Sequence, residues 1–129
     1  MKSNCKIATA IIVSFVLGGG AVSVLHAQAK LPAYAFVEID VKDQDGYAKD
    51  FLPKAQANIK EFGGKFIAGG MNKAVGFIGT PPPSRVVLLQ FADMDTVKAF
   101  EDKEGRNVTE VGNKYASFRI IGVEGVEPK

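Results

Sequence analysis

The chain has 129 residues, 47% of them hydrophobic and 23% charged, with a formal net charge of +2, one cysteine and one histidine. That length suits one domain with a modest hydrophobic core. A single cysteine excludes an intrachain disulfide, so the core has to hold the fold.

Residues 1–29 read as an export signal. Lys2 and Lys6 form a basic n-region, residues 7–17 (IATAIIVSFVL) an apolar h-region, and Ala27-Gln28-Ala29 an A-x-A cleavage pattern. Cleavage after Ala27 and after Ala29 are both open. An uncleaved anchor is the competing reading, because the uncharged run continues through Gly18-Gly19-Gly20 to Leu25, long enough for a bilayer core of about 30 Å. The glycine triplet and the A-x-A pattern favour cleavage. In either case the lysines stay inside and the rest is exported, to the periplasm or beyond, with no membrane association expected once the signal is removed. Cys5 precedes the apolar core, so it is not the acylated cysteine of a lipoprotein signal.

This segment carries the net charge. Of 16 Lys and Arg, Lys2 and Lys6 lie within it, which leaves 14 against 14 Asp and Glu. A neutral domain gives no reason to expect nucleic acid or an anionic surface as partner. Cys5 and His26 also lie in the segment. The domain at residues 30–129 then has neither residue type, which excludes a Ser-His-Asp triad, a thiolate nucleophile, and zinc or haem held by Cys and His. Oxygen ligands for calcium would need a loop of the D-x-D-x-D-G kind. Asp43-Gln44-Asp45-Gly46 is only a fragment of one and reads better as the start of a helix. No metal and no cofactor is expected.

Residues 33–41 (AYAFVEIDV) are rich in aromatic and β-branched side chains and predict a strand. Ala35, Val37, Ile39 and Val41 share one face; Tyr34, Phe36, Glu38 and Asp40 share the other. Asp43 or Asp45 caps the helix that follows, in which Tyr47, Phe51, Ala55, Ile59 and Phe62 recur at helical spacing. Asn58 is placed with the lysines on the polar side. Pro53 lies within this pattern and predicts a bend in one helix.

The stretch EFGGKFIAGG follows. Gly63 fits a left-handed C-cap, Gly64 lets the chain reverse, and residues 65–68 begin a second strand. Gly69-Gly70 is expected to be a bulge or bend, with the strand resuming at residues 74–78. A phosphate-binding loop is disfavoured, since these glycines open no helix and no G-K-[ST] follows. Residues 80–84 (TPPPS) form a stiff connector. Residues 85–91 (RVVLLQF) are a strand apolar enough to be central. Asp93 or Asp95 then caps a helix with Met94, Val97 and Phe100 inward, Gly105 is expected to break it, and residues 107–115 to add a further turn or two. Residues 117–123 (SFRIIGV) form the last strand.

The order β-α-β-β-α-β defines a ferredoxin-like α+β fold, an antiparallel sheet with both helices on one face. The other face, with Tyr34, Phe36, Val86 and Leu88, is too apolar to stay wet as a patch. A second copy is the expected cover, giving a twofold homodimer with a barrel-like interior.

AYAFVEIDV, the run from Tyr47 through Pro53 to EFGGKFIAGG, and PPPSRVVLLQF together resemble the domain of unknown function 1330 family, of the dimeric α/β-barrel superfamily. The Gly63-Gly64 to Gly69-Gly70 spacing and Pro83-Ser84-Arg85 carry the resemblance most specifically. Ala68 or Gly69 stands where that family commonly has a basic residue, and residues 102–106 (DKEGR) replace its Ser-Pro-Glu-Tyr-like turn. The resemblance implies the fold and the dimer, and no established activity.

Tyr34, Phe36, Glu38, Gln90 and Arg119 are the candidate ligand-binding residues, a few polar groups among apolar walls on the open face. Arg119 meets Glu38 only in one register, since a slip of one residue reverses its face. The plainer reading is that Glu38, Gln90 and Arg119 satisfy one another in the dimer interface. The expected function is that of an exported homodimer, structural or binding a small apolar ligand. The alternative is a cofactor-independent enzyme resembling the monooxygenases and isomerases of this fold, with Glu38 as candidate base, or Asp40 or a tyrosine. Arg85 shares the helix side with Val87, Leu89 and Phe91, where snorkelling or an ion pair is expected. Tyr47 is expected to be a core anchor with a wet tip.

Overall fold

The computed structural model describes residues 30–128. The export segment read at residues 1–29, with Cys5 and His26, lies outside them. The described residues form β1 (Ala33–Val41), α1 (Leu52–Glu61), β2 (Lys65–Met71), β3 (Arg85–Phe91), α2 (Met94–Glu110) and β4 (Ala116–Glu124). The four strands make one sheet in the order β2-β3-β1-β4, every pairing antiparallel. This is the ferredoxin-like α+β arrangement, with β1 and β3 central.

The alternation of β1 decides which face is covered. Ala33, Ala35, Val37 and Ile39 are buried, and so are Val87, Leu89 and Phe91 of β3. α1 contributes Ala55 and Ile59 to this layer, and α2 contributes Val97 and Phe100. Phe100 is the hub: its ring lies 4.8 Å from that of Phe91 and 6.1 Å from that of Phe62. Burying each such side chain stabilises the fold by about 1.5–3 kcal/mol.

The bend expected at Pro53 takes a specific form. Asp43 caps a first turn, Gln44–Gly46, its carboxylate accepting from the Gly46 amide. The chain then widens into a π-turn, Tyr47–Phe51, in which the Leu52 amide reaches the Tyr47 carbonyl. Pro53 stands just after it and has no N–H to return to the chain, so the wider turn accommodates the missing donor. Both Tyr47 and Phe51 stay buried. At the other end Gly63 adopts φ 71°, and the amides of Gly63 and Gly64 return to the carbonyls of Lys60 and Ile59. That is a Schellman cap, and the left-handed residue in it explains the first glycine pair.

The second glycine pair acts differently from expectation. The register shift in β2 falls between Phe66 and Ala68, so Ile67 is the bulged residue. Gly69, at φ 103°, lies against β3: a Cβ there would stand 2.0 Å from the Val86 carbonyl oxygen. It is glycine because two backbones meet too closely for a side chain. No strand resumes at residues 74–78. Asn72 turns the chain with φ 56°, its amide donating to the Ser84 carbonyl at 2.7 Å. The three prolines opposite supply no amides to continue the ladder.

Gly105 does not break the second helix. α2 runs through it to Glu110, and only then does a short 3-10 turn, Gly112–Lys114, lead into β4. A single glycine costs a helix about 1 kcal/mol relative to alanine, less than the buried face of α2 supplies. Asp93 is the cap, accepting from both the amide and the hydroxyl of Thr96 at 2.8 Å. Asn58, read as polar-side, is 3% exposed and turned toward α2.

Candidate functional site

The sheet divides the candidate residues between two faces. Tyr34, Phe36, Glu38, Gln90 and Arg119 all fall on the face away from the helices. Cross-strand partners there are Tyr34 with Gln90 and Val123, Phe36 with Leu88 and Ile121, and Glu38 with Val86 and Arg119. Arg119 Nη1 donates to Glu38 Oε2 at 2.7 Å, which settles the β4 register. Phe36, Leu88 and Ile121 form an apolar row across three strands, and Val123 beside it is 50% exposed.

Glu38 and Arg119 also line an open groove of ≈ 650 Å³ at one end of this face, walled by the proline connector and Ser117. Tyr34, Phe36 and Gln90 lie outside it, farther along the strands. Ser84 fixes the groove's edge, since its hydroxyl accepts from the Val41 amide at 3.1 Å and donates to the Ile39 carbonyl at 3.4 Å. These two bonds fasten the end of β1 to the start of β3 beyond the last ladder pair.

A smaller cavity lies on the other side, between sheet and helices. Its volume is ≈ 40 Å³ and its walls are almost wholly apolar, among them Val37, Ile39, Phe51, Leu89 and Phe100. Tyr47, Arg85 and Glu104 are the polar residues that reach it. Phe66, on the bulged edge strand and 52% exposed, forms part of its rim. A cavity of this size holds about three water-sized groups, so it suits a few heavy atoms and not a drug-sized molecule.

The electrostatics of this layer follow from burial. Burial pushes the Tyr47 phenol up, Arg85 nearby pulls it back, and Glu104 adds to the rise. Burial also raises Glu104, while hydrogen bonds from Asn107 and Asn58 oppose that rise; both amides donate to Oε1, at 2.9 and 3.4 Å. One turn earlier Glu101 is pushed up to about 7 by burial and by its neighbour Glu104. Asn58 Oδ1 and Glu101 Oε1 are buried without a hydrogen-bond partner among the described residues.

Arg85 is on the helix side, as its parity in β3 predicts. It makes neither an ion pair nor a side-chain hydrogen bond among the described residues, so of the snorkelling and the ion pair expected for it the ion pair is not there. Glu104 is not among the site residues the sequence points to, and Asn58 reads from it as a polar-face residue. The signal lies in α2, where Val97, Phe100, Glu104 and Val108 recur at helical spacing with a carboxylate on an otherwise apolar stripe.

A four-stranded antiparallel sheet with two helices on one face, closing over a small cavity, defines a ferredoxin-like α+β domain. The chain belongs to the domain of unknown function family DUF1330, whose family model matches residues 32–126. Among solved structures it is similar to a protein of unknown function from Rhodopseudomonas palustris, with a TM-score of 0.56 at 12% identity over 84% of this chain and 94% of that one. A methylated form of that protein gives 0.57 at 12% identity, over 84% and 92%. An EthD-like protein from Ralstonia eutropha gives 0.49 at 13% identity, over 78% and 96%. No curated protein matches the chain.

Proposed function

We propose that this is an exported, homodimeric binding protein for a small, largely apolar ligand. The cavity between sheet and helices carries the reading: apolar walls with three polar groups are the usual composition of a ligand site. The size of the cavity restricts the ligand to a few heavy atoms.

The open face supports the dimer. Phe36, Leu88 and Ile121 side by side make a patch that water covers poorly, and a twofold copy offers the same row in return. Tyr34, Gln90 and the Glu38–Arg119 pair then lie within or around the interface, the plainer of the two roles considered for them. The basic and apolar character of residues 1–29 supports export.

Native mass spectrometry of the chain recovered from a bacterial periplasm tests all three parts. The expected result is a mature N-terminus near residue 28 or 30, a mass of two subunits, and a retained small molecule or its exchange with an added one. A subunit that stays single at high concentration would overturn the dimer, and a cytoplasmic chain with an intact N-terminus would overturn export.

A further inference from the structure

We infer that the ligand of the helix–sheet cavity carries an anionic head, a carboxylate on a short apolar body, and that Arg85 and Tyr47 are the residues that hold it. This rests on the cavity being the ligand site and goes on to name the chemistry of the ligand.

Three observations carry it. First, Arg85 reaches the cavity wall with its charge uncompensated by any ion pair among the described residues. A guanidinium half-buried beside apolar walls is costly unless an acceptor meets it, and its planar fork matches a carboxylate in two-point geometry. Second, Tyr47 and Arg85 line the same cavity, and phenol and guanidinium are both donors toward one anion. Third, the remaining polar group does not compete for the cation. Glu104 Oε1 is already engaged by the amides of Asn58 on α1 and Asn107 on α2, and no ion pair joins Glu104 to Arg85 among the described residues.

The rest of the wall fixes the body of the ligand. Ile39, Phe51, Leu89 and Phe100 offer no hydrogen bonds to a second polar group. With space for about three water-sized groups, the fit is an acid whose apolar body of about three carbons fills the cavity while its carboxylate lies at Arg85 on the wall. Phe66, on the irregular edge strand and exposed, is where the lining meets solvent.

The test compares butanoate with its uncharged isostere butanamide, titrated into the purified chain and followed by amide and methyl chemical shifts. The expected result is shifts at Ile39, Tyr47 and Leu89, tighter binding of butanoate than of butanamide, and a loss of at least about tenfold for butanoate in Arg85→Met with butanamide unchanged. Tyr47→Phe weakens butanoate several-fold. Equal binding of acid and amide, unaffected by Arg85→Met, would leave the cavity as a ligand site and overturn the anionic head. Shifts absent from the cavity residues for both compounds would overturn the cavity reading itself, and this inference with it. If Arg85→Met does not fold, the acid-to-amide preference of the unaltered chain decides: no preference overturns the inference.

Discussion

Arg119 and Glu38 stand directly opposite each other on neighbouring strands, Nη1 2.7 Å from Oε2, on the side of the sheet that no helix covers. The carboxylate side chain is 22% exposed and the guanidinium side chain 69%. In a single subunit such a pair is well solvated and couples by less than about 1 kcal/mol. Buried between two sheets, the same pair would become a desolvated contact, and removing one partner would be costly.

A double-mutant cycle of Glu38→Gln and Arg119→Met, read by urea unfolding, is therefore expected to depend on protein concentration. At dilutions where the subunit is single, the coupling should stay below about 1 kcal/mol. At concentrations where it pairs, the coupling should rise, and Leu88→Asp on the adjacent strand should abolish the rise by keeping subunits apart. A coupling independent of concentration would place the pair outside any interface. Were Glu38 the base of an enzyme, the Gln variant would instead leave association intact and lose turnover.

The buried carboxyls of α2 make stability fall as the medium becomes less acidic. Glu101 moves from an ordinary 4.5 to about 7 on folding. A group with a raised folded-state pKa binds its proton more tightly in the folded chain. Its contribution is complete below the unfolded value and is lost as pH rises through the folded one. Glu104 is raised as well and acts in the same direction. Urea midpoints should therefore decline between about pH 4.5 and 7 and level off above. Glu101→Gln should flatten that slope and raise the midpoint at about pH 8.

Gly69→Ala should destabilise the chain by about 1–3 kcal/mol, since the new Cβ meets the Val86 carbonyl and the residue keeps a positive φ. Hydrogen exchange should localise the damage to the amides of β2, with β1 and β4 protected as before. Loss of protection spread evenly over the sheet would contradict the account of this glycine.

Phe100→Ala removes the ring that joins α2 to both Phe91 and Phe62. A cost of about 3–5 kcal/mol in urea unfolding is expected, enough to bring a domain of this size near its limit. Phe77→Ala, in the β2–β3 connection at 91% exposed, should change the midpoint by less than about 0.5 kcal/mol.

The fold was legible because each strand kept its alternation. Ala35, Val37 and Ile39 against Tyr34, Phe36 and Glu38 fix which side of β1 is buried without knowledge of any partner strand. The cap at Gly63 was legible for the same local reason, a glycine just past the last helical residue. What a short window does not contain is the distance between backbones. The role of Gly69 is set by Val86, across the sheet, and the bulge consequently appears at Ile67. Gly105 reads as a stop by propensity alone, which leaves out the packing of Val97, Phe100 and Val108 on either side of it. The candidate site was harder for a related reason. Arg85 reads from the sequence as a snorkelling or ion-paired cation and Tyr47 as a core anchor, and that Arg85 forms no ion pair among the described residues is a property of three dimensions. Asn58 and Glu104 become conspicuous only when α1 and α2 lie together.

The kink in β2 bears on how the chain avoids clumping. An outermost strand offers bare amides and carbonyls to any passing extended segment. A side chain pushed out of line at residue 67 and two glycines at φ 103° and 135° leave that rim too uneven to serve as a template. β4, nine residues at the opposite rim with no register shift along its pairing to β1, lacks this protection. Growth of disordered aggregates from a destabilised variant would start there, and a lysine or proline placed on its outward side would be the place to stop it.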